Sequence, residues 1–153
     1  MKAIIISPYS RRLRGDKSKN TNPKDYPYWE ELVKLLKENH CYIIQIGTAG
    51  EKKVEHVDEL VFNKPLKELK KLVNECDTWI SVDNFFQHFC SLIGKPGIVL
   101  FGQSDPLIFG HPENINLLKD KKYLRPDQFN IWEACEVNNE AFVAPQEVLK
   151  KVI

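Results

Sequence analysis

The strongest constraint on this chain is an alternation. Short β-branched runs recur along it, and stretches with helical spacing separate most of them. Lys2 to Ser7 reads Lys-Ala-Ile-Ile-Ile-Ser and stops at Pro8. Cys41 to Ile46 is closed by Gly47, and Leu60 to Phe62, Thr78 to Val82, Gly97 to Phe101 and Ile115 to Leu118 follow. Unbroken apolar runs of this length predict strands buried on both faces. Between them Trp29, Leu32, Val33 and Leu36 fall at i, i+3, i+4 and i+7, marking a helix that stops near Asn39. Pro65 opens a second helix with Leu66, Leu69, Leu72 and Val73 inward. Phe86, Phe89, Cys90 and Ile93 line a third, with Gly94 as its C-terminal cap. Pro145 opens a last one carrying Val148, Leu149 and Val152.

Strands alternating with helices imply right-handed crossovers and a parallel sheet covered on both faces. The expected fold is therefore α/β, a single Rossmann-like doubly wound parallel sheet. The 153 residues fit one domain, 1–153, without an interdomain linker. A 42% hydrophobic and 28% charged composition argues against disorder. No apolar stretch nears the roughly 20 residues that span a bilayer, and the N-terminus reads as a strand rather than a secretory signal. Cys41, Cys76, Cys90 and Cys135 form no Cys-x-x-Cys pair. Three of them lie beside apolar runs and read as small core residues, and a reducing, cytoplasmic setting fits best.

Doubly wound sheets bind ligands at the carboxyl ends of their strands, near the switch in strand order. This places Ser7, Gly47, Asp83 and the Gly102–Asp105 turn on one rim. At Asp83-Asn84-Phe85 a strand hands over to a helix whose first amides lack intrahelical partners, a ready site for an anion. Asp83 suits the helix cap and equally suits a ligand hydroxyl. One turn on, His88 could donate to a phosphate or hold Asp83 in place. Gly102 permits close backbone approach, and Ser104 and Asp105 suit either a plain turn or hydroxyl contacts.

Charge is unevenly spread. From Ser10 to Lys24 six basic residues (Arg11, Arg12, Arg14, Lys17, Lys19 and Lys24) stand against Asp16, a net +5 in a chain of net +1. Such a loop is either a solvated basic surface or an anion site. A nucleic-acid partner is the weaker reading, because few aromatics interleave and no known motif is present. Gly-x-Gly-x-x-Gly, the P-loop and Gly-x-Ser-x-Gly signatures are all missing. No cluster has metal-ligand spacing, so no metal is expected.

Val82-Asp83-Asn84-Phe85-Phe86-Gln87-His88, then Leu92-Ile93-Gly94-Lys95-Pro96, then Val99-Leu100-Phe101-Gly102-Gln103-Ser104-Asp105-Pro106 resemble glycosyltransferase family 9, the ADP-heptose heptosyltransferases and their relatives. The family pattern there runs Asp-Ser/Thr-Gly-x-x-His, Leu-Gly-x-Pro and Leu-Phe-Gly-x-Thr-x-Pro. Ser7-Pro8, Lys24-Asp25-Tyr26-Pro27 and Ile44-Gln45-Ile46-Gly47 are similar to further family segments, as are Cys135 and the last helix. In this chain Asn84-Phe85 replaces the family's Ser/Thr-Gly.

The resemblance implies one half, the C-terminal donor-binding half, of a two-domain GT-B glycosyltransferase. It implies a nucleoside-diphosphate sugar as donor substrate, with no other cofactor. Asp83 and His88 are the implied catalytic candidates. Ser7, Lys24, Gly47, Asn84, Phe85, Gly102, Gln103, Ser104 and Asp105 are the implied substrate-binding residues, with Arg11, Arg12 and Arg14 stabilising the departing diphosphate. The acceptor half would come from a second copy or a partner chain. A non-catalytic nucleotide-sugar-binding module is the alternative, as is a transferase acting on a nucleic-acid acceptor through the basic loop.

Overall fold

In the computed structural model, which describes residues 1–10, 22–130 and 135–153, the apolar runs become six parallel strands. They are β1 (Lys2–Ser7), β2 (Cys41–Gly47), β3 (Glu59–Phe62), β4 (Thr78–Val82), β5 (Ile98–Phe101) and β6 (Ile115–Leu118). Their order is β3-β2-β1-β4-β5-β6, with every neighbouring pair parallel. The chain winds outward one way from β1 and then the other way from β4. The switch point therefore lies between β1 and β4, where Ser7 stands beside Ser81.

The strand pleat explains why β1 is continuously apolar. Ile4 and Ile6 join one core with Leu32, Val33, Leu36, Val148 and Val152. Ile5 points to the opposite face, into a second core with Leu69, Val73, Trp79, Phe86 and Cys90. Helices α1 (Trp29–Glu38) and α5 (Pro145–Val152) thus cover one face, and α2 (Leu66–Glu75) and α3 (Phe85–Leu92) cover the other. Gly94 takes the left-handed conformation after α3, at φ 76°, and the Lys95 amide donates back to the Cys90 carbonyl at 3.0 Å. That closes the helix as glycine caps do. Gln45 is fully buried in β2 and has both ends satisfied. Its amide donates to the Lys52 carbonyl and its oxygen accepts from the Val54 amide, tying the following loop to the sheet.

Four strand and helix ends differ from the expectation by one residue: β2 includes Gly47, β3 begins at Glu59, β5 begins at Ile98, and Pro65 precedes α2 rather than opening it. The four-residue α4 (Pro106–Phe109) is additional. Cys41, Cys76 and Cys90 are buried and Cys135 is half-buried, all as free thiols. Burial pushes the Cys90 thiol up to about 12, so it packs as an apolar group. Among the described residues no helix is long and apolar enough to cross a membrane.

Candidate functional site

The parallel sheet brings the carboxyl ends of β1, β2, β3 and β4 to one rim. A cavity of about 790 Å3 opens there, lined by Ser7, Lys24, Gly47, Glu51, Asp83, Phe85 and His88 among others. That volume lies within the roughly 300–1,000 Å3 of small-molecule sites. Residues from six chain segments thus meet at this rim.

Asn84 holds the centre of the rim. Its side-chain oxygen accepts from the Phe86 amide at 2.9 Å, which caps α3, and lies 2.9 Å from the Ser81 hydroxyl, whose one proton is shared with the Val82 carbonyl at 2.7 Å. Its amide donates to Ser7 Oγ at 2.9 Å and to the Tyr9 carbonyl at 3.1 Å. All four hydrogen-bonding positions of an asparagine side chain are thereby used. Asn84 joins the ends of β1 and β4 rather than offering free polar atoms to a ligand. It also corrects the reading of Asp83 as cap. Ser7 Oγ accepts from Asn84, and its own proton remains available to an occupant of the cavity.

Asp83 is 4% exposed and is committed elsewhere. Oδ1 accepts from the fully buried Gln87 amide at 2.7 Å, and Oδ2 lies 3.3 Å from Lys24 Nζ. The ion pair anchors the Lys24 ammonium at the cavity wall, where it also stands 5.9 Å over the Phe109 ring. Lys24 keeps 19% of its side chain exposed, so its charge is only partly screened by water.

His88 does not support Asp83, as the sequence reading allowed. Its Nδ1 lies 2.8 Å from His111 Nε2. Its pKa is lowered, first by burial and then by His111 and Lys24, with Asp83 opposing.

Gly47 and Glu51 form a unit that the sequence did not reveal. A Cβ on Gly47 would lie 2.2 Å from Glu51 Oε2, so the glycine makes room for this carboxyl. Burial raises the Glu51 pKa, offset in part by the Thr48 hydroxyl, which donates to Oε1 at 3.0 Å. Tyr9 also lines the cavity, and its hydroxyl pKa is pushed up to about 12 by burial and by Asp25, Glu51 and Glu30. Only the glycine closing β2 hinted at this arm.

The Gly102–Asp105 segment lies behind the cavity and not on its lining. The space that Gly102 leaves is taken by the Phe142 ring, 2.6 Å from where a Cβ would stand. Gln103 donates to the Glu136 carbonyl, Ser104 is buried, and Asp105 caps α4 by accepting from the Leu107 amide at 2.9 Å. These residues position Phe109, which does reach the cavity. Phe85 stands at the mouth with 59% of its surface exposed. Arg11, Arg12 and Arg14 lie outside the described residues. Among the described residues no three His, Cys, Asp or Glu side chains are grouped to hold a metal ion.

One prediction arises directly from the Asn84 brace. Asn84→Ser should keep the α3 cap but lose the reach to Ser7 and Tyr9, and Asn84→Ala should lose both. Urea unfolding is expected to show the smaller loss for serine. For alanine it should show about 0.5–2 kcal/mol from the cap alone, with about 1 kcal/mol more for each further lost bond. Equal losses for the two variants would mean that the cap contributes nothing.

The family model for glycosyltransferase family 9 (heptosyltransferase) matches residues 17–128, well over half of the chain. No curated relative matches the sequence. Among solved structures, the chain superposes on the E. coli heptosyltransferase WaaC with ADP at TM-score 0.62 and 15% identity, with 99% of this chain covering 43% of that one. It superposes on E. coli ADP-heptose LPS heptosyltransferase II at TM-score 0.65 and 15% identity, covering 45% of that chain. The dodecameric iron-containing heptosyltransferase TibC, in complex with ADP-D-β-D-heptose, gives 0.58 at 12% identity, with 97% of this chain covering 37% of that one. At these identities the likeness is one of fold. The chain spans less than half the length of each of these neighbours. With the family model covering most of its residues, the chain belongs to glycosyltransferase family 9.

Proposed function

We propose that the cavity binds a nucleoside-diphosphate sugar and that the chain serves as the donor side of a sugar transfer. The observation that carries this is the Lys24–Asp83 pair. A half-buried ammonium is fixed at the switch point of a doubly wound sheet, beside a free hydroxyl proton on Ser7 and the start of α3. A diphosphate set there meets a positioned cation, a hydroxyl donor and the positive end of a helix. The same groups would stabilise the charge that grows on the diphosphate as the sugar leaves.

The rest of the cavity divides by chemistry. Glu51, whose burial favours the neutral carboxyl, is suited to ribose hydroxyls and ill suited to lie beside phosphate. It lies on the β2 arm, with the apolar Ile46, Val61 and Leu69 beside it to take a base. Phe85 at the mouth offers a ring face in place of the family's glycine. The sugar would then point toward Phe109 and α4, where a second copy or a partner chain would bring the acceptor. Asp83, in this reading, acts by positioning Lys24.

Titration calorimetry with ADP and with nucleoside-diphosphate sugars tests the reading. ADP at 100 times its Kd should stabilise the fold by about 2.7 kcal/mol, roughly 5–10 °C in Tm for a chain of this length. No heat and no Tm shift with any nucleoside diphosphate would remove the proposal. Binding without sugar transfer or donor hydrolysis would reduce it to a donor-binding module.

Gly47→Ala offers a narrower check. The new methyl must displace the Glu51 carboxyl. ADP affinity should fall more than that of inorganic pyrophosphate, which lacks the ribose. Equal losses for both would place Glu51 away from the nucleoside.

A further inference from the structure

His88 reaches the cavity wall with one ring nitrogen already engaged. Its Nδ1 lies 2.8 Å from His111 Nε2, and among the described residues its Nε2 has no partner. The contact continues outward: His111 Nδ1 lies 3.3 Å from Ser91 Oγ, and Ser91 Oγ donates to Glu113 Oε1 at 2.6 Å. The four side chains come from two places only. His88 and Ser91 sit on one face of α3 at i and i+3, and His111 and Glu113 sit in the turn between α4 and β6. None of this follows from the Asp83–His88 segment alone.

The direction of the chain is set by its outer end. Glu113 is an exposed carboxylate whose pKa is lowered, chiefly by the Ser91 hydroxyl, so it only accepts. Ser91 has one hydroxyl proton and gives it to Glu113. Ser91 Oγ can then only accept from His111, which puts a proton on His111 Nδ1. If His111 is neutral, its Nε2 is a lone pair and must accept from His88 Nδ1–H. His88 Nε2 is then also a lone pair, an acceptor on a ring that lines the cavity. If His88 takes up one proton, its Nδ1–H still donates to His111 Nε2 and the new proton sits on its Nε2. The cavity now meets a donor. Two protons on the pair would place two cations across a 2.8 Å contact, which their repulsion opposes.

We infer that His88, His111, Ser91 and Glu113 form a directional hydrogen-bond chain that switches the free nitrogen of His88 from acceptor to donor on uptake of one proton, so that binding of a diphosphate is coupled to protonation. His111 is thereby a positioning residue for His88. This rests on the reading of the cavity as a nucleoside-diphosphate site. The charged groups facing His88 are Lys24 and Asp83 across the cavity and, through its partners, Glu113. Lys24 and burial disfavour the proton in the empty site, whereas a bound diphosphate favours it.

The sign follows. In the free protein the His88 pKa is lowered from its ordinary value, so near pH 7.5 His88 is neutral. The bound anion raises it, so binding takes up a proton. Affinity then falls with rising pH, by up to about tenfold per unit between the pKa of the free protein and that of the complex, and levels off above the latter. The terminal phosphate of ADP, with a pKa of about 6, is already ionised in that range and contributes little.

The test is ADP titration calorimetry between about pH 7 and 8.5 in buffers of differing ionisation enthalpy, a range set above the ordinary histidine pKa. The wild type and His111→Gln are compared. Glutamine presents an uncharged amide that can turn to donate to His88 Nδ1 as well as accept from it, so the neutral His88 can carry its proton on Nε2 at every pH. The wild type should take up a proton and lose affinity as pH rises. His111→Gln should bind with neither effect. In ligand-free wild type at high pH, imidazole 15N spectra should show both rings protonated on Nδ1. Proton uptake unchanged in His111→Gln, or a neutral His88 protonated on Nε2 in the wild type, would overturn the chain. ADP binding by the wild type without proton uptake would overturn the coupling and leave the cavity reading intact. Failure of ADP to bind at any pH would overturn both.

Discussion

Replacing Lys24 with glutamine should weaken ADP binding at least tenfold, about 1.4 kcal/mol. The loss has two sources. The ammonium that meets the diphosphate is gone, and the Asp83 carboxylate it neutralised is left facing the same cavity. Asp83 is 4% exposed, and Lys24 Nζ lies 3.3 Å from its Oδ2. Stability should fall as well, by about 1–3 kcal/mol for a buried acceptor stripped of its partner. Lys24→Gln combined with Asp83→Asn separates the two effects. With both charges removed, the stability should largely return, and the affinity should not.

Asp83→Asn alone decides what the aspartate is for. The asparagine oxygen can still accept from Gln87, and Lys24 loses its ionic contact with residue 83. If Asp83 acts by positioning Lys24, the affinity for ADP should fall, but by clearly less than in Lys24→Gln, because the ammonium is still present. A tenfold loss, equal to that of Lys24→Gln, would mean that the carboxylate touches the ligand itself. That is the role the sequence suggested for it.

The largest expected loss of stability is at Trp79, which does not line the cavity. Its side chain is 1% exposed, packs edge-on against Phe86 at 5.4 Å between centroids, and donates to the Lys95 carbonyl at 2.9 Å. Gly97 exists to make space for it, since a Cβ there would stand 2.2 Å from the indole. Trp79 therefore clamps β4, α3 and the start of β5 together. Trp79→Ala should cost about 3–5 kcal/mol, seen as a lower urea midpoint at an unchanged m-value. Trp79→Phe should retain most of the packing and lose about 1 kcal/mol with the hydrogen bond. A loss below about 1 kcal/mol for alanine would mean that the surrounding core collapses to fill the space, contrary to close packing.

These predictions also show what could be read from the sequence. The six strands were legible because a parallel sheet buried on both faces needs uninterrupted apolar runs, and Lys2–Ser7 and Thr78–Val82 are such runs. The rim was legible because the doubly wound fold puts strand ends together. It follows that Ser7, Gly47 and Asp83 share a cavity.

What stayed hidden was side-chain partnership. Asp83 and Asn84 are adjacent and both can cap a helix. Only the backbone shows that Asn84 stands two residues before the Phe86 amide it receives. His111 lies 23 residues from His88 and meets it across a turn that has no periodicity to read. Glu51 sits in a polar loop that folds back over Gly47, and a lone glutamate in a loop carries no signal. The Gly102–Asp105 turn looked like a ligand contact because its residues suit one. The fold uses them instead to seat Phe142 and cap α4.

The central claim is that a diphosphate docks between the ends of β1 and β4, ahead of α3. The most direct measurement is a crystal structure of the chain grown with saturating ADP. The account predicts the diphosphate within hydrogen-bonding distance of Lys24 Nζ and Ser7 Oγ, with the ribose toward Glu51. ADP seated elsewhere, or a cavity left vacant at a concentration that calorimetry shows to be saturating, would contradict it.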